Sequence, residues 1–101
     1  MVYRVIFSAQ AERDLGDIVR FLAQRSPAAA ERLGHALLDT SLSLSTLPHR
    51  GVAVPERPGF RRLFHPPWFL LFYLVDRQHR IVAVVRIWDV RRDPNAFWLG
   101  R

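Results

Sequence analysis

PWFLLFYLVDRQHRIVAVVRIWDVRRDP, residues 67–94, reads as a β-hairpin that ends in a basic cluster. Residues 68–75 are an unbroken apolar run, too short to cross a membrane and rich in the aromatics that strands favour, so they suit a central strand buried on both faces. Residues 76–80 supply the turn. Residues 81–88 are β-branched and apolar until Arg86, and beyond Trp88 the chain carries Arg91 and Arg92. The hairpin therefore delivers three arginines to one edge of a sheet.

Working outward, the 101 residues support one hydrophobic core, so residues 1–101 are expected to form a single domain. The chain has no cysteine, which excludes disulfides and thiolate metal sites, and no long apolar leader opens it. The expected compartment is the cytoplasm. All fifteen basic residues are arginine and the formal net charge is +6. Genome composition accounts for arginine in place of lysine but not for the clustering between Arg57 and Arg92. A basic excess of this size in so small a domain predicts an anionic partner.

Residues 2–7 (VYRVIF) read as a first strand, and Ser8 has the chemistry to cap the helix that follows. There Ala11, Leu15, Ile18, Val19 and Leu22 form one apolar stripe, with Glu12, Arg13, Asp17, Arg20 and Gln24 opposite. Ser26-Pro27 starts a second helix, with Ala30, Leu33, Leu37, Leu44 and Leu47 on its inner face and an expected end at Leu47, before Pro48. Leu38 and Leu42 make an offset apolar row: core under the sheet is the favoured reading, a partner surface the alternative. Two helices joined by a few residues pack as an antiparallel hairpin. Residues 48–59, with three prolines and two glycines, read as a loop. Phe60, Arg62 and Phe64 then alternate with Arg61, Leu63 and His65 in a second strand. The apolar Phe97, Trp98 and Leu99 near the chain's end are expected to pack on the domain or on a partner.

The chain lacks a GxSxG elbow, a glycine-rich phosphate loop and an HExxH motif, and its four histidines are scattered, so no metal and no cofactor are expected. His65, beside Arg61 on one strand face, is the histidine with a candidate role. Asp89 and Asp93 flank Arg91 and Arg92 and suit bidentate orientation of guanidinium groups better than acid–base work.

Five segments in order carry a family resemblance: A-E-R-D-L-x-D-I-x-x-F-L from Ala11, L-P-x-x-G from Leu47, the R-x-L around Arg61 and Leu63, F-Y-x-V-D from Phe72, and R-I-W-x-x-R-R-D from Arg86. Together they resemble the ParE/RelE superfamily of toxins from bacterial type II toxin–antitoxin systems. The resemblance implies an α+β fold of order β-α-α-β-β-β, two antiparallel helices on one face of a small antiparallel sheet, with activity on the other face.

It also implies a choice. RelE-like members are ribosome-dependent mRNA endonucleases, in which cations stabilise the scissile phosphate and an acid or base moves the 2′-OH proton. Where that branch supplies an arginine before the F-Y segment, a histidine near the end of the last strand and a tyrosine after it, this chain has Leu70, Trp88 and Phe97. ParE-like members inhibit DNA gyrase by binding, without chemistry of their own. Loss of proton-transfer groups with retention of cations favours that branch, and a non-toxic module that only binds an antitoxin is the third reading. No catalytic residue is assigned. The expected activity surface is Arg61, Arg62, His65, Arg86, Arg91 and Arg92. The implied partner is an acidic, ParD-like antitoxin whose tail folds on its toxin, with Leu15, Ile18, Val19, Leu22, Leu38 and Leu42 as its expected contacts.

Overall fold

The structure, a computed structural model, describes residues 2–92. The expected arginine pair Arg91 and Arg92 is included, whereas Asp93, Phe97, Trp98 and Leu99 lie outside the described residues. The chain runs β1 (Arg4–Phe7), α1 (Ala9–Ala23), α2 (Pro27–Leu42), a short 3₁₀ turn (Ser43–Ser45), β2 (Val52–Ala53), β3 (Phe60–His65), β4 (Phe69–Asp76) and β5 (Ile81–Asp89). Five strands form one sheet in the order β1-β5-β4-β3-β2, with the helices packed on one face.

This is the expected α+β arrangement with two differences. The sheet is mixed and not purely antiparallel, because β1 pairs parallel to β5, Arg4 opposite Ile81 through Phe7 opposite Val84. The strands β2, β3, β4 and β5 alternate in direction, so β5 runs with β3 and, in its pairing, with β1. The second difference is β2, found inside the segment read as a loop. It pairs Val52 with Arg62 and Ala53 with Arg61, and Val54 N–H donates to the Phe60 carbonyl at 3.0 Å.

The helices begin where their capping chemistry places them. Ser8 Oγ accepts from Ala11 N–H and Ser26 Oγ from Ala29 N–H, each at about one first-turn spacing, and Pro27 opens α2. The end of α2 departs from expectation, at Leu42 and not at Leu47. Ser41 and Ser43 there donate their hydroxyls back to the carbonyls of Leu37 and Thr40, offering the backbone an alternative to regular helix, and the chain tightens into the 3₁₀ turn. Leu44 remains fully buried, but Leu47 is 58 % exposed and does not belong to the inner face.

Alternation along the strands divides the core into two layers. Leu63, Phe69, Leu71, Tyr73, Val82, Val84 and Ile87 face the helices, where Ala11, Leu15, Ile18, Leu33, Leu37 and Leu44 meet them. Val54, Phe72 and Trp88, with Phe60, Leu70 and Val85, form a smaller apolar cluster on the opposite face. A β-bulge in β5 decides which residues go where. Phe72 pairs with Arg86 and Tyr73 with Val84, so Val85 has no opposite number. Uninterrupted alternation from Val84 would turn Arg86 and Trp88 toward the helices. The extra residue instead gives Ile87 to the helical core and places Trp88 in the opposite cluster.

Candidate functional site

On the sheet face away from the helices, pairing builds two cross-strand rows. Arg62, Phe72 and Arg86 lie side by side on β3, β4 and β5, followed by Phe64, Leu70 and Trp88. The Arg92 guanidinium lies 5.2 Å from the centroid of the Trp88 ring and that of Arg86 lies 5.5 Å from it. Arg91 lies 4.7 Å over Trp68, which precedes β4 and is exposed. At an exposed site such as Arg91 over Trp68 the contact is worth about 0.5–1 kcal/mol. More to the point, flat rings hold the cations at defined positions.

Two carboxylates fix the arginines further. Asp89 receives Arg91 in the bidentate pairing expected from sequence, at 3.0 Å from Nε and 2.7 Å from Nη2, and also accepts the Arg91 N–H. These hydrogen bonds hold the Asp89 carboxyl below its ordinary range and push Arg91 up. Asp14, from α1, accepts Arg86 Nε at 2.8 Å and Nη2 at 3.1 Å, and its Oδ2 also accepts the Ile87 N–H at 3.0 Å. The pair is largely buried, with side chains 8 % exposed for Asp14 and 18 % for Arg86. Sequence reading missed Asp14. The available signal was its position within the Ala11, Leu15, Ile18 stripe, three residues from Ala11 and four from Ile18, where a carboxylate needs a buried partner.

Arg61 and His65 lie elsewhere. Their strand face, shared with Leu63, is the one turned toward the helices. Arg61 Nη1 donates to the carbonyls of Gly51 at 2.7 Å and His49 at 3.3 Å, and the His65 ring nitrogen Nδ1 hydrogen-bonds Thr40 Oγ1 of α2 at 2.8 Å. Of the five arginines and one histidine expected at the surface, the structure therefore gathers Arg62, Arg91 and Arg92 around the open face and its Trp88 end, while Arg86, opposite Phe72 in the register, gives its guanidinium to the largely buried Asp14 of α1. Arg61 and His65 tie a loop and a helix to β3. Alternation predicts which residues share a face but not which face the helices will cover.

The loop held by Arg61 has its own constraint. A Cβ at Gly51 would sit 2.6 Å from the Arg62 carbonyl oxygen and 2.7 Å from the Tyr73 hydroxyl, so only glycine fits. The buried Tyr73 hydroxyl accepts the Gly51 N–H at 2.9 Å, and burial raises the Tyr73 pKa despite the nearby Arg61 and Arg50 cations.

The family of ParE toxins of type II toxin–antitoxin systems, parDE, matches residues 5–94 of this chain. The chain belongs to the ParE toxin family. No curated protein matches it. Among solved structures, this ParE-family chain is similar to the chromosomal ParDE toxin–antitoxin system from P. aeruginosa, with a TM-score of 0.73 at 22 % identity over 88 % of this chain and 97 % of that one. It is also similar to the toxin–antitoxin complex RelBE2 from Mycobacterium tuberculosis, with a TM-score of 0.66 at 25 % identity over 88 % and 99 % of the two chains.

In the ParE-family chain the helical residues expected to meet an antitoxin divide into two groups. Leu15 and Ile18 pack on the helix-facing core, Leu22 is half-buried, and Val19 lies in the close approach of the helices, its Cγ2 3.3 Å from where a Cβ on Gly34 would stand. Leu38 and Leu42 are exposed, 37 % and 51 %, and the core reading favoured for them from sequence is overturned. Their offset from Leu33 and Leu37 turns the row away from the sheet. Among the described residues, no helix is long and apolar enough to cross a membrane.

Proposed function

We propose that this ParE-family toxin inhibits DNA gyrase by binding, and that a cognate acidic antitoxin neutralises it in the cytoplasm. The observation that carries the reading is the register pair Leu70 and Trp88, at positions where the resemblance to the nuclease branch calls for polar groups. Both belong to the apolar cluster with Val54 and Phe72 on the face that carries Arg62 and Arg86. Cleavage of RNA through its own 2′-OH needs a group that shifts a proton, and arginine stays protonated. His65, the histidine suited to that task, is engaged with Thr40 on the helical side. What the open face offers is an array of guanidinium groups held by rings and carboxylates, which suits recognition. The exposed Leu38 and Leu42 suit the apolar side chains of an antitoxin tail, and the +6 charge suits its acidic ones.

Two assays on the purified protein test the reading. In the first, gyrase supercoils relaxed plasmid in the presence of the toxin; in the second, mRNA is presented on programmed ribosomes. Loss of supercoiling with intact mRNA is expected, and so is recovery of supercoiling when Arg91 and Arg92 are both replaced by alanine. Codon-positioned cuts would establish the nuclease reading instead, and silence in both assays would leave a binding module without toxicity. The partner is tested apart from the target. The product of the adjacent short reading frame is co-expressed with the toxin, and failure of the two chains to co-purify would remove the antitoxin reading.

A further inference from the structure

A second cationic cluster lies at the opposite end of the sheet. Arg50 and His49 come from the loop after α2, Arg61 from β3 and Arg77 from the turn between β4 and β5. Arg61 is pinned to the His49 and Gly51 carbonyls through one of its nitrogens, and Arg50 Nη1 is held by Ser43 Oγ at 2.6 Å. The ion pairs of the described residues engage Arg20, His79, Arg86 and Arg91, and none of them engages this cluster. Its charges act on one another. Desolvation and the Arg61 and Arg77 cations depress the His49 pKa. Like charges gathered without an ion pair among the described residues cost folding free energy, and an anion docked among them removes that cost.

The surroundings indicate which anion. Leu47 and Val52, on either side of Arg50 in the chain, are 58 % and 60 % exposed, and among the described residues no aromatic ring stacks on the guanidinium of Arg50, Arg61 or Arg77, although Tyr73 lies opposite Arg61 in the sheet. Single-stranded nucleic acid favours cations interleaved with rings on which bases stack. Aliphatic side chains between cations instead fit a peptide that alternates acidic and aliphatic residues. Among the described residues β2 is the last strand of the sheet, with Val52 and Ala53 both exposed, so its outer edge offers backbone hydrogen bonds to an extended segment. We infer that Arg50, Arg61 and Arg77, flanked by Leu47 and Val52, form a docking site for an extended acidic and aliphatic peptide segment. The identity of its natural occupant as the antitoxin tail rests on the antitoxin reading above.

The test uses the full chain and three probes: a fluorescent twelve-residue peptide of alternating Glu and Val, its Gln/Val counterpart, and a twelve-nucleotide single-stranded DNA. The Glu/Val peptide is expected to bind preferentially, more weakly as salt rises, and to raise the His49 pKa read from its ring resonances. Arg50→Gln and Arg77→Gln, both on exposed side chains, should each weaken it about two- to fivefold, the range of an exposed ion pair. Arg92→Gln should leave it unchanged. Binding that ignores Arg50→Gln and Arg77→Gln but falls with Arg92→Gln would move the acidic segment to the other end of the sheet and overturn the inference, leaving the antitoxin reading intact. Preference for the DNA strand, or no binding of any probe at low salt, would overturn it as well. Failure of co-purification in the earlier experiment, with peptide binding here, would remove the antitoxin as occupant and keep the site.

Discussion

The two ends of this sheet hold positive charge in opposite ways. Near Trp68 and Trp88, Arg91 has Asp89, Arg86 has Asp14, and all three of Arg86, Arg91 and Arg92 lie against indole rings. Near Gly51, Arg50 and Arg61 are held by neutral oxygens, and Arg77 has no ion-pair partner among the described residues. The first end is arranged in advance, with its guanidinium geometry set before any partner arrives. The second is electrostatically unfinished. Fixed cations give specificity, whereas an uncompensated cluster gives attraction that depends on salt and on what docks there.

The largest expected break in this contrast comes from Asp14→Ala. Removing one partner of a largely buried pair leaves the Arg86 guanidinium without its counter-charge and the Ile87 N–H without an acceptor, a loss of about 3 kcal/mol. The urea midpoint should fall accordingly, while Arg77→Gln should hold or slightly raise it. Equal midpoints for the two variants would mean that Arg86 is held no more firmly than the unpaired cluster.

Tyr73→Phe sharpens the comparison from the other side. It removes the acceptor of the buried Gly51 N–H and should cost about 1–2 kcal/mol in chemical unfolding. Because Gly51 anchors the loop that carries His49 and Arg50, the same variant should weaken salt-sensitive binding of the Glu/Val peptide. A stability loss with peptide affinity unchanged would detach the cluster from the loop's geometry.

The smallest effects concern pH, and their windows separate the two ends. His49 and Asp89 both have folded-state pKa values below their ordinary ones, so in each case the unfolded chain binds the proton more readily and stability falls with falling pH. For His49 the loss begins near its unfolded value, about 6.5, and continues down through the folded value. For Asp89 it begins near about 3.9 and is complete below the folded value. Thermal melts across pH should therefore lose the upper dependence in His49→Gln and show a smaller lower one in Asp89→Asn, the remainder coming from Asp76, whose carboxyl the hydrogen bonds from His79 also hold low. Solvent screening keeps the first small. A His49→Gln variant with the wild-type profile would deny the cluster its field.

What sequence alone made legible follows from locality. The Ser8 and Ser26 caps, the Phe60–His65 strand and the hairpin around residues 76–80 depend on neighbours within a few residues, and each was readable. The β1 pairing with β5 joins residues 77 apart, and β2 is held by β3 across a segment whose prolines and glycines say loop. The bulge at Val85 depends on cross-strand register and leaves no mark in a β-branched run. The site was legible to the same degree. The Asp89 and Arg91 pair, two residues apart, was readable, whereas the Asp14 and Arg86 pair spans 72 residues. Arg61 and His65 share a face as alternation requires, but only the packed helices reveal that it is the covered one.

Asp14 has a further consequence for how molecules of this chain meet one another. β1 stops at Phe7 while β5 continues to Asp89, so among the described residues the outer edge of β5 beyond Val84 has no neighbouring strand. Side chains stand in for the missing backbone: Ser8 Oγ donates to the Val85 carbonyl and Asp14 accepts the Ile87 N–H. An edge whose polar groups are already occupied, with a carboxylate and a guanidinium beside it, is a poor template for a strand of another copy. The ion pair that positions Arg86 thus also removes an edge N–H from those a strand of another copy could use.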